Sequence, residues 1–274
     1  MLLSGRIKRN KHPWKGANHE KITLHPHPHP RRAPLVCHGP CRTNGQCRRT
    51  DPHGILFVSY LGKKLPRPIR LCYLAYHMKD VAQGRIDKSD WINLDSMPAY
   101  LPQALIATED RRFYSHIGID PSAIMRAILV NLQYDEVAQG GSTLTQQLVK
   151  NNLLSPERTL ERKLWEAGLA LIVEARYSKE EILEMYFNTT FFGNHSTGIR
   201  SAARNYFGIE PKQLSLMECA VLAGLPNAPT DLNPYNDMEA CRRRRDLVLE
   251  NMHDQGFITG NQLNHAKKAD IVLR

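Results

Sequence analysis

Long apolar runs are missing from this 274-residue chain. A helix that crosses a bilayer needs about twenty such residues. The best stretches, GILFVSYLG at 54–62 and IRLCYLAYHM at 69–78, are too short, so the sequence offers neither a transmembrane helix nor the apolar core of a signal peptide. Acid is nearly absent from residues 1–50, which hold eleven Lys or Arg against Glu20 alone and so carry the whole formal charge of +10. The rest of the chain balances 26 bases with 26 acids. A nucleic-acid reader needs its basic face on the folded part, and no reader motif is present, which argues against a nucleic-acid reading of the domain, and no nucleic-acid partner is expected. A basic tail suits an anionic surface such as a membrane or RNA. Paired metal knuckles are lacking too: CHGPCRTNGQC holds Cys37, Cys41 and Cys47 beside His38, but no second pair completes a zinc pattern. Period-two alternation is absent from 92–274, which argues against a sheet.

What is present divides in three. Residues 1–54 form a basic, His/Pro-rich tail, expected to be disordered because HPHPHPRRAP has too little apolar surface to offset its chain entropy. Residues 55–91 connect, and 92–274 are a mainly α domain long enough for a sizeable core. Asp120-Pro121 opens a helix as N-cap and first residue. Ser142 is expected to start STLTQQLVKNNLL, and Ser155-Pro156 to start PERTLERKLWEAGLALIVEAR, with Leu160, Leu164, Ala167, Leu171 and Ile172 at helical spacing. Ser178 with Glu181, Ser215 with Glu218, and Thr259 with Gln262 spell capping boxes. Cys219 reads as core packing.

Three stretches carry chemistry. In ATEDRRFYSHIG (107–118) the spacing places Glu109, Phe113 and His116 on one stripe of a helix that Gly118 ends. An acid brought in along an apolar helix and set beside an aromatic ring suits a catalytic acid or base. In GGSTLTQQLVKN (140–151) a turn leads into a helix start rich in hydroxyls, whose free amides attract an anion. Gln146 and Gln147 add amide donors, Lys150 lies one turn on, and Arg158 follows. This reads either as a phosphate or pyrophosphate clamp or as an ordinary turn before a capped helix. In ERKLWE (161–166), Glu166 sits among apolar neighbours, either paired by Arg162 or Lys163 one turn back or placed for chemistry.

Taken together, these motifs resemble the peptidoglycan glycosyltransferases of family 51. EDRRFYSHIG, GGSTLTQQLVKN, ERKLWE and KEEILEMYFNTTFFG follow in the family's order, with RSAARNYFG and LAGLPNAPTDLNPY behind them. The resemblance covers 92–274 and implies a lysozyme-like helical glycosyltransferase fold. It implies polymerisation of lipid II into β-1,4-linked glycan strands, with inversion at the anomeric carbon and release of undecaprenyl pyrophosphate. Glu109 matches the general base, and the packing around Phe113 is expected to raise its carboxyl toward working pH. Glu166 matches the second glutamate, orienting the pyrophosphate side. Lys150 and Arg158 match the pyrophosphate-holding bases. Arg112, Ser142, Gln146 and Gln147 match substrate contacts, and Lys163 belongs with the basic set or pairs with Glu166. Asp110 and His116 read as braces.

The resemblance further implies the outer face of the bacterial cytoplasmic membrane, with lipid II, the growing strand, the membrane surface and cell-wall synthesis or division proteins as partners. No residue pattern demands a cofactor, while the pyrophosphate leaves room for Mg or Mn. Two departures stand out. The family's membrane helix is not visible, and NHST (194–197) replaces an expected small residue and aromatic before Gly198. The chain as it stands carries no Ser-x-x-Lys module, which predicts a polymerase that does not bind penicillin. The rival readings are a lysozyme-like hydrolase, which needs no pyrophosphate clamp, and a catalytically silent lipid II-binding paralogue.

Overall fold

The computed structural model describes residues 65–134, 141–157 and 159–274. The basic tail, Cys37, Cys41, Cys47, the apolar run at 54–62, Gly140 and Arg158 lie outside the described residues. The described residues form helices α1 (Arg67–Tyr76), α2 (Met78–Gln83), α3 (Tyr100–Glu109), α4 (Pro121–Tyr134), α5 (Leu144–Leu153) and α6 (Leu160–Arg176). They continue with α7 (Lys179–Thr189), α8 (Ile199–Phe207), α9 (Leu216–Gly224), α10 (Met238–Asp254) and α11 (Gly260–Lys268). Among the described residues the only β pairing is an isolated bridge between Phe191 and Thr197. None of these helices is long and apolar enough to cross a membrane.

Local chemistry sets most helix starts. Asp120 Oδ1 accepts from the amides of Ser122 and Ala123 at 3.0 and 3.2 Å, ahead of Pro121. Reciprocal capping boxes at Ser178–Glu181, Ser215–Glu218 and Thr259–Gln262 open α7, α9 and α11. Two expected starts move. Thr143, not Ser142, caps α5, in a box with Gln146. Helix α6 begins at Leu160 and not at Pro156, because extended Thr159 takes the amide of Arg162 onto its hydroxyl at 3.1 Å.

Two groups of helices pack around the site. In one, α3, α9 and α10 lie against one another. Helix α9 is apolar on nearly every side and buries Met217 and every residue from Cys219 to Gly224, as a central helix must. In the other, α6 packs on α1 and α5, and α5 on α7. Leu71 and Ala75 of α1 and Met78 and Ala82 of α2 enter the same core.

One expectation about a face fails. The Glu109–Phe113–His116 stripe does not exist, because α3 stops at Glu109 and Asp110 leaves helical geometry at φ −152°. Phe113 instead heads a short 3₁₀ turn and is wholly buried. On α6 the spaced apolar positions divide: Leu160 is 86% and Leu164 75% exposed, with Leu171 also exposed, while Ala167 is half-buried and Ile172 packs against the core. The buried face is Glu166, Leu169, Ala170 and Val173. Both faces follow the helical period, so periodicity finds the helix without choosing its inside.

At NHST the chain makes a tight turn, with Asn194 and His195 both left-handed at φ 44° and 57°. The amide of Ser196 closes the turn onto the Gly193 carbonyl at 2.8 Å.

Candidate active site

Glu109 is the last residue of α3, so its side chain leaves the helix where the helix ends. It lines a cavity of about 580 Å³ together with Arg112, Ser142, Gln147, Lys150 and Arg244. Its Oε2 accepts from Gln147 Nε2 at 3.2 Å and its Oε1 from Arg244 Nη2 at 2.8 Å. Gln147 is itself oriented by the buried Tyr186, whose hydroxyl donates to Gln147 Oε1 at 3.1 Å. Burial pushes the Tyr186 hydroxyl far above the ordinary tyrosine range, with the charge of Glu109 adding to the shift, so it stays a donor. The setting of Glu109 is therefore polar and braced, not the aromatic pocket expected from the sequence.

The loop after Glu109 is fixed by a buried network. Gly118 N donates to His116 Nδ1 at 3.0 Å, so Nε2 carries the proton and donates to Asp110 Oδ2 at 2.8 Å. The same Asp110 oxygen accepts from the amide of Leu144, the first residue of α5, at 3.0 Å. Gly118 has φ 99°, and a Cβ there would stand 2.9 Å from the Ala170 carbonyl oxygen, so the loop lies directly on α6. Asp110 and His116 are braces, as their setting in the sequence suggested.

That network alters the role of the α5 start. The amides of Thr143, Leu144 and Gln146 are already held by Gln146 Oε1, Asp110 and Thr143 Oγ1. The anion at this helix N-terminus is the protein's own Asp110. Gln146, expected to touch substrate, is buried with its carbonyl oxygen spent in the cap. Gln147, one residue on, faces the cavity.

Basic residues gather on the other side. Glu166 is 1% exposed, and it pairs with Arg162 at 3.0 Å and with Lys163. Lys163 also donates to Ser142 Oγ at 2.6 Å, tying α6 to the cavity rim. Lys150 is held below the ordinary lysine range, by burial first, with Arg162 and Lys163 adding to the shift against the pull of Glu166 and Glu109. Arg112 is half exposed, 3.4 Å from Asp120 Oδ1. No group of three or more His, Cys, Asp or Glu side chains among the described residues could hold a metal. Both oxygens of Glu166 are paired with cations. The sequence reading missed Arg244 and Tyr186. Arg244 lies within RRRR (242–245), where no local pattern sets one arginine apart, and nothing in KEEILEMYFNTTFFG marks Tyr186 as a contact.

Residues 77–253 match the family model described as Transglycosylase, spanning the cavity and every one of its ion pairs. The chain belongs to the transglycosylase family. It is 44% identical to penicillin-binding protein 1A of Aquifex aeolicus, over 80% of this chain and 32% of that protein. It is 47% identical to penicillin-binding protein 1A of Escherichia coli, over 66% of this chain and 21% of that protein. A crystal structure of penicillin-binding protein 1A from Haemophilus influenzae aligns with TM-score 0.42 and 26% identity, over 67% of this chain and 18% of that one. The chain thus matches about a third or less of the length of these transglycosylase relatives.

Proposed function

We propose that this transglycosylase domain is a peptidoglycan glycosyltransferase that polymerises lipid II into β-1,4-linked glycan strands. The observation that carries this reading is the position of Glu109, a carboxylate fixed on both oxygens at a cavity whose rim holds Lys150 and the Ser142–Lys163 pair. Each Glu109 oxygen keeps a lone pair beyond its bond to Gln147 or Arg244. One of them takes the proton of the acceptor's 4-hydroxyl. The acceptor's 4-oxygen, so deprotonated, bonds to the anomeric carbon of the growing strand as the bond from that carbon to pyrophosphate breaks. The electron pair leaves on the polyprenyl pyrophosphate and the carbon inverts. Lys150 meets the charge that develops there, and Arg162 and Lys163 bind the pyrophosphate alike before and during the reaction. Arg158 keeps the same role from the resemblance. Glu166 holds Arg162 and Lys163 in place and passes no proton, since pyrophosphate leaves without an acid.

In this reading the domain works at the outer face of the bacterial cytoplasmic membrane, where lipid II and the strand are found, with cell-wall synthesis or division proteins as neighbours. The test is turnover of fluorescent lipid II in detergent by the wild type and by Glu109→Gln. Long glycan chains from the wild type alone, with preformed peptidoglycan left uncut, are expected. A wild type that binds lipid II without turnover sinks the polymerase reading in favour of a silent binding paralogue. Cleavage of preformed glycan favours a hydrolase.

A further inference from the structure

Arg244 reaches Glu109 by a route that the rest of its run does not share. Arg242 lies 3.9 Å from Asp270, Arg243 3.5 Å from Glu239, and Arg245 donates to the carbonyls of Lys267 and Ala269. Only Arg244 lines the cavity. Its Nε stands 3.3 Å from the Gly224 carbonyl oxygen and its Nη2 2.8 Å from Glu109 Oε1, with the two acid–base side chains 18% and 10% exposed.

Gly224 is the last residue of α9, at an ordinary helical φ of −78°. Its backbone does not require glycine. Its surroundings do: a Cβ at this position would stand 2.9 Å from Arg244 Cγ. That atom belongs to the stem of the arginine and not to its mobile tip. The next contacts, at 3.6 and 3.7 Å, are ordinary.

We infer that Arg244 is a positioning residue for Glu109, and that Gly224 is the notch through which it passes. The inference rests on Glu109 as the base. A glutamate at a helix end has three free torsions. Gln147 holds one oxygen and Arg244 the other, so the plane of the carboxylate is set and its free lone pairs face the cavity. Releasing one side lets the carboxylate swing, and an error of about 1 Å costs about a hundredfold in rate.

The experiment follows lipid II polymerisation for Arg244→Ala, Arg244→Lys, Gly224→Ala and the Arg244→Ala/Gly224→Ala double variant, with Glu109→Gln as reference and a thermal melt of each. Arg244→Ala is expected to lose about a hundredfold in kcat with little change in KM. Arg244→Lys should recover part of that loss. Gly224→Ala should lose on the order of tenfold in kcat and should lower Tm modestly while still folding, since the added methyl overpacks against the arginine stem. The double variant should be no worse than Arg244→Ala, because the stem that the new methyl strikes is gone. Unchanged kcat in Arg244→Ala overturns the inference. So does a loss confined to KM, which would make Arg244 a binder of substrate charge, or losses that multiply in the double variant. If Arg244→Ala does not fold, Gly224→Ala decides: full activity overturns the inference. A fully active Glu109→Gln removes the base assignment itself. An inert Glu109→Gln beside fully active Arg244 and Gly224 variants removes only this inference.

Discussion

The ring of His116 stands 2.8 Å from the carboxylate of Asp110 and steadies the oxygen that also receives the Leu144 amide at 3.0 Å, one of the links between the loop after Glu109 and the start of α5. Asp110 is buried and its Oδ2 serves both His116 and the Leu144 amide. His116→Ala removes one partner and leaves the other in place. A buried polar group stripped of a partner costs about 1–3 kcal/mol. The expected result is a lower Tm together with loss of polymerase activity, because Glu109 and Gln147 sit on the two elements being joined. His116→Gln, with an amide that can donate, should recover part of both. A His116→Ala enzyme with wild-type Tm and turnover would show that the contact does not position the site.

Glu109 and Glu166 should fail in different ways. Glu109 is open to the cavity, while Glu166 is buried under Arg162 and Lys163 and does not line it. Steady-state kinetics on lipid II should therefore show Glu109→Gln losing kcat. Glu166→Gln should mainly raise KM, since it frees the two cations from the places where they meet the pyrophosphate. Ser142→Ala, which removes the other partner of Lys163, should move KM in the same direction by less. Equal kcat losses with unchanged KM in both glutamate variants would argue that Glu166 acts in the chemical step.

Much of this was legible because it is local. A capping box joins residues three apart, and the boxes at Ser178, Ser215 and Thr259 stand where the sequence places them. Glu109, Gln147 and Lys150 are also brought to one cavity, as their motifs suggested. What failed depended on distant partners. Helix α3 ends at Glu109 while Asp110 is held by an amide 34 residues away. Arg244 is 135 residues from the carboxylate it holds, and nothing in RRRR marks one arginine from the next. Gln146 and Gln147 are adjacent and chemically identical. Only the capping geometry sends one inward and the other to the cavity.

The exposed leucines at the start of α6 give a direct test of the fold. Leu160 and Leu164 are exposed, whereas Leu169 is 1% exposed in the core. The sequence treats all three as apolar helix positions. Surface changes away from special features move stability by about 0.5 kcal/mol or less. Leu160→Ser with Leu164→Ser should therefore leave the denaturant midpoint nearly unchanged. Leu169→Ala removes buried methyl groups and should cost about 2–5 kcal/mol. If the double serine variant is the less stable of the two, the outward face assigned to this helix is wrong.

Lys150 should show opposite signs in stability and activity. Burial lowers its affinity for a proton in the folded state, so the unfolded chain binds more protons between the folded and the ordinary lysine pKa. Stability from this group therefore rises with pH across that window, by little, because the side chain is exposed. Lys150→Met should accordingly leave Tm at neutral pH unchanged or slightly raised. The same change removes a cation from the cavity and should lower kcat/KM on lipid II by about a hundredfold. The pH dependence follows with a definite sign. Activity that needs the ammonium is lost as pH rises through the lowered value, earlier than a surface lysine would allow, and Lys150→Arg should move that alkaline limb upward. Thermal melts and a kcat/KM–pH profile on the wild type and both variants measure all of this. A Lys150→Met protein that is less stable yet fully active would reverse both signs and assign Lys150 to the fold alone.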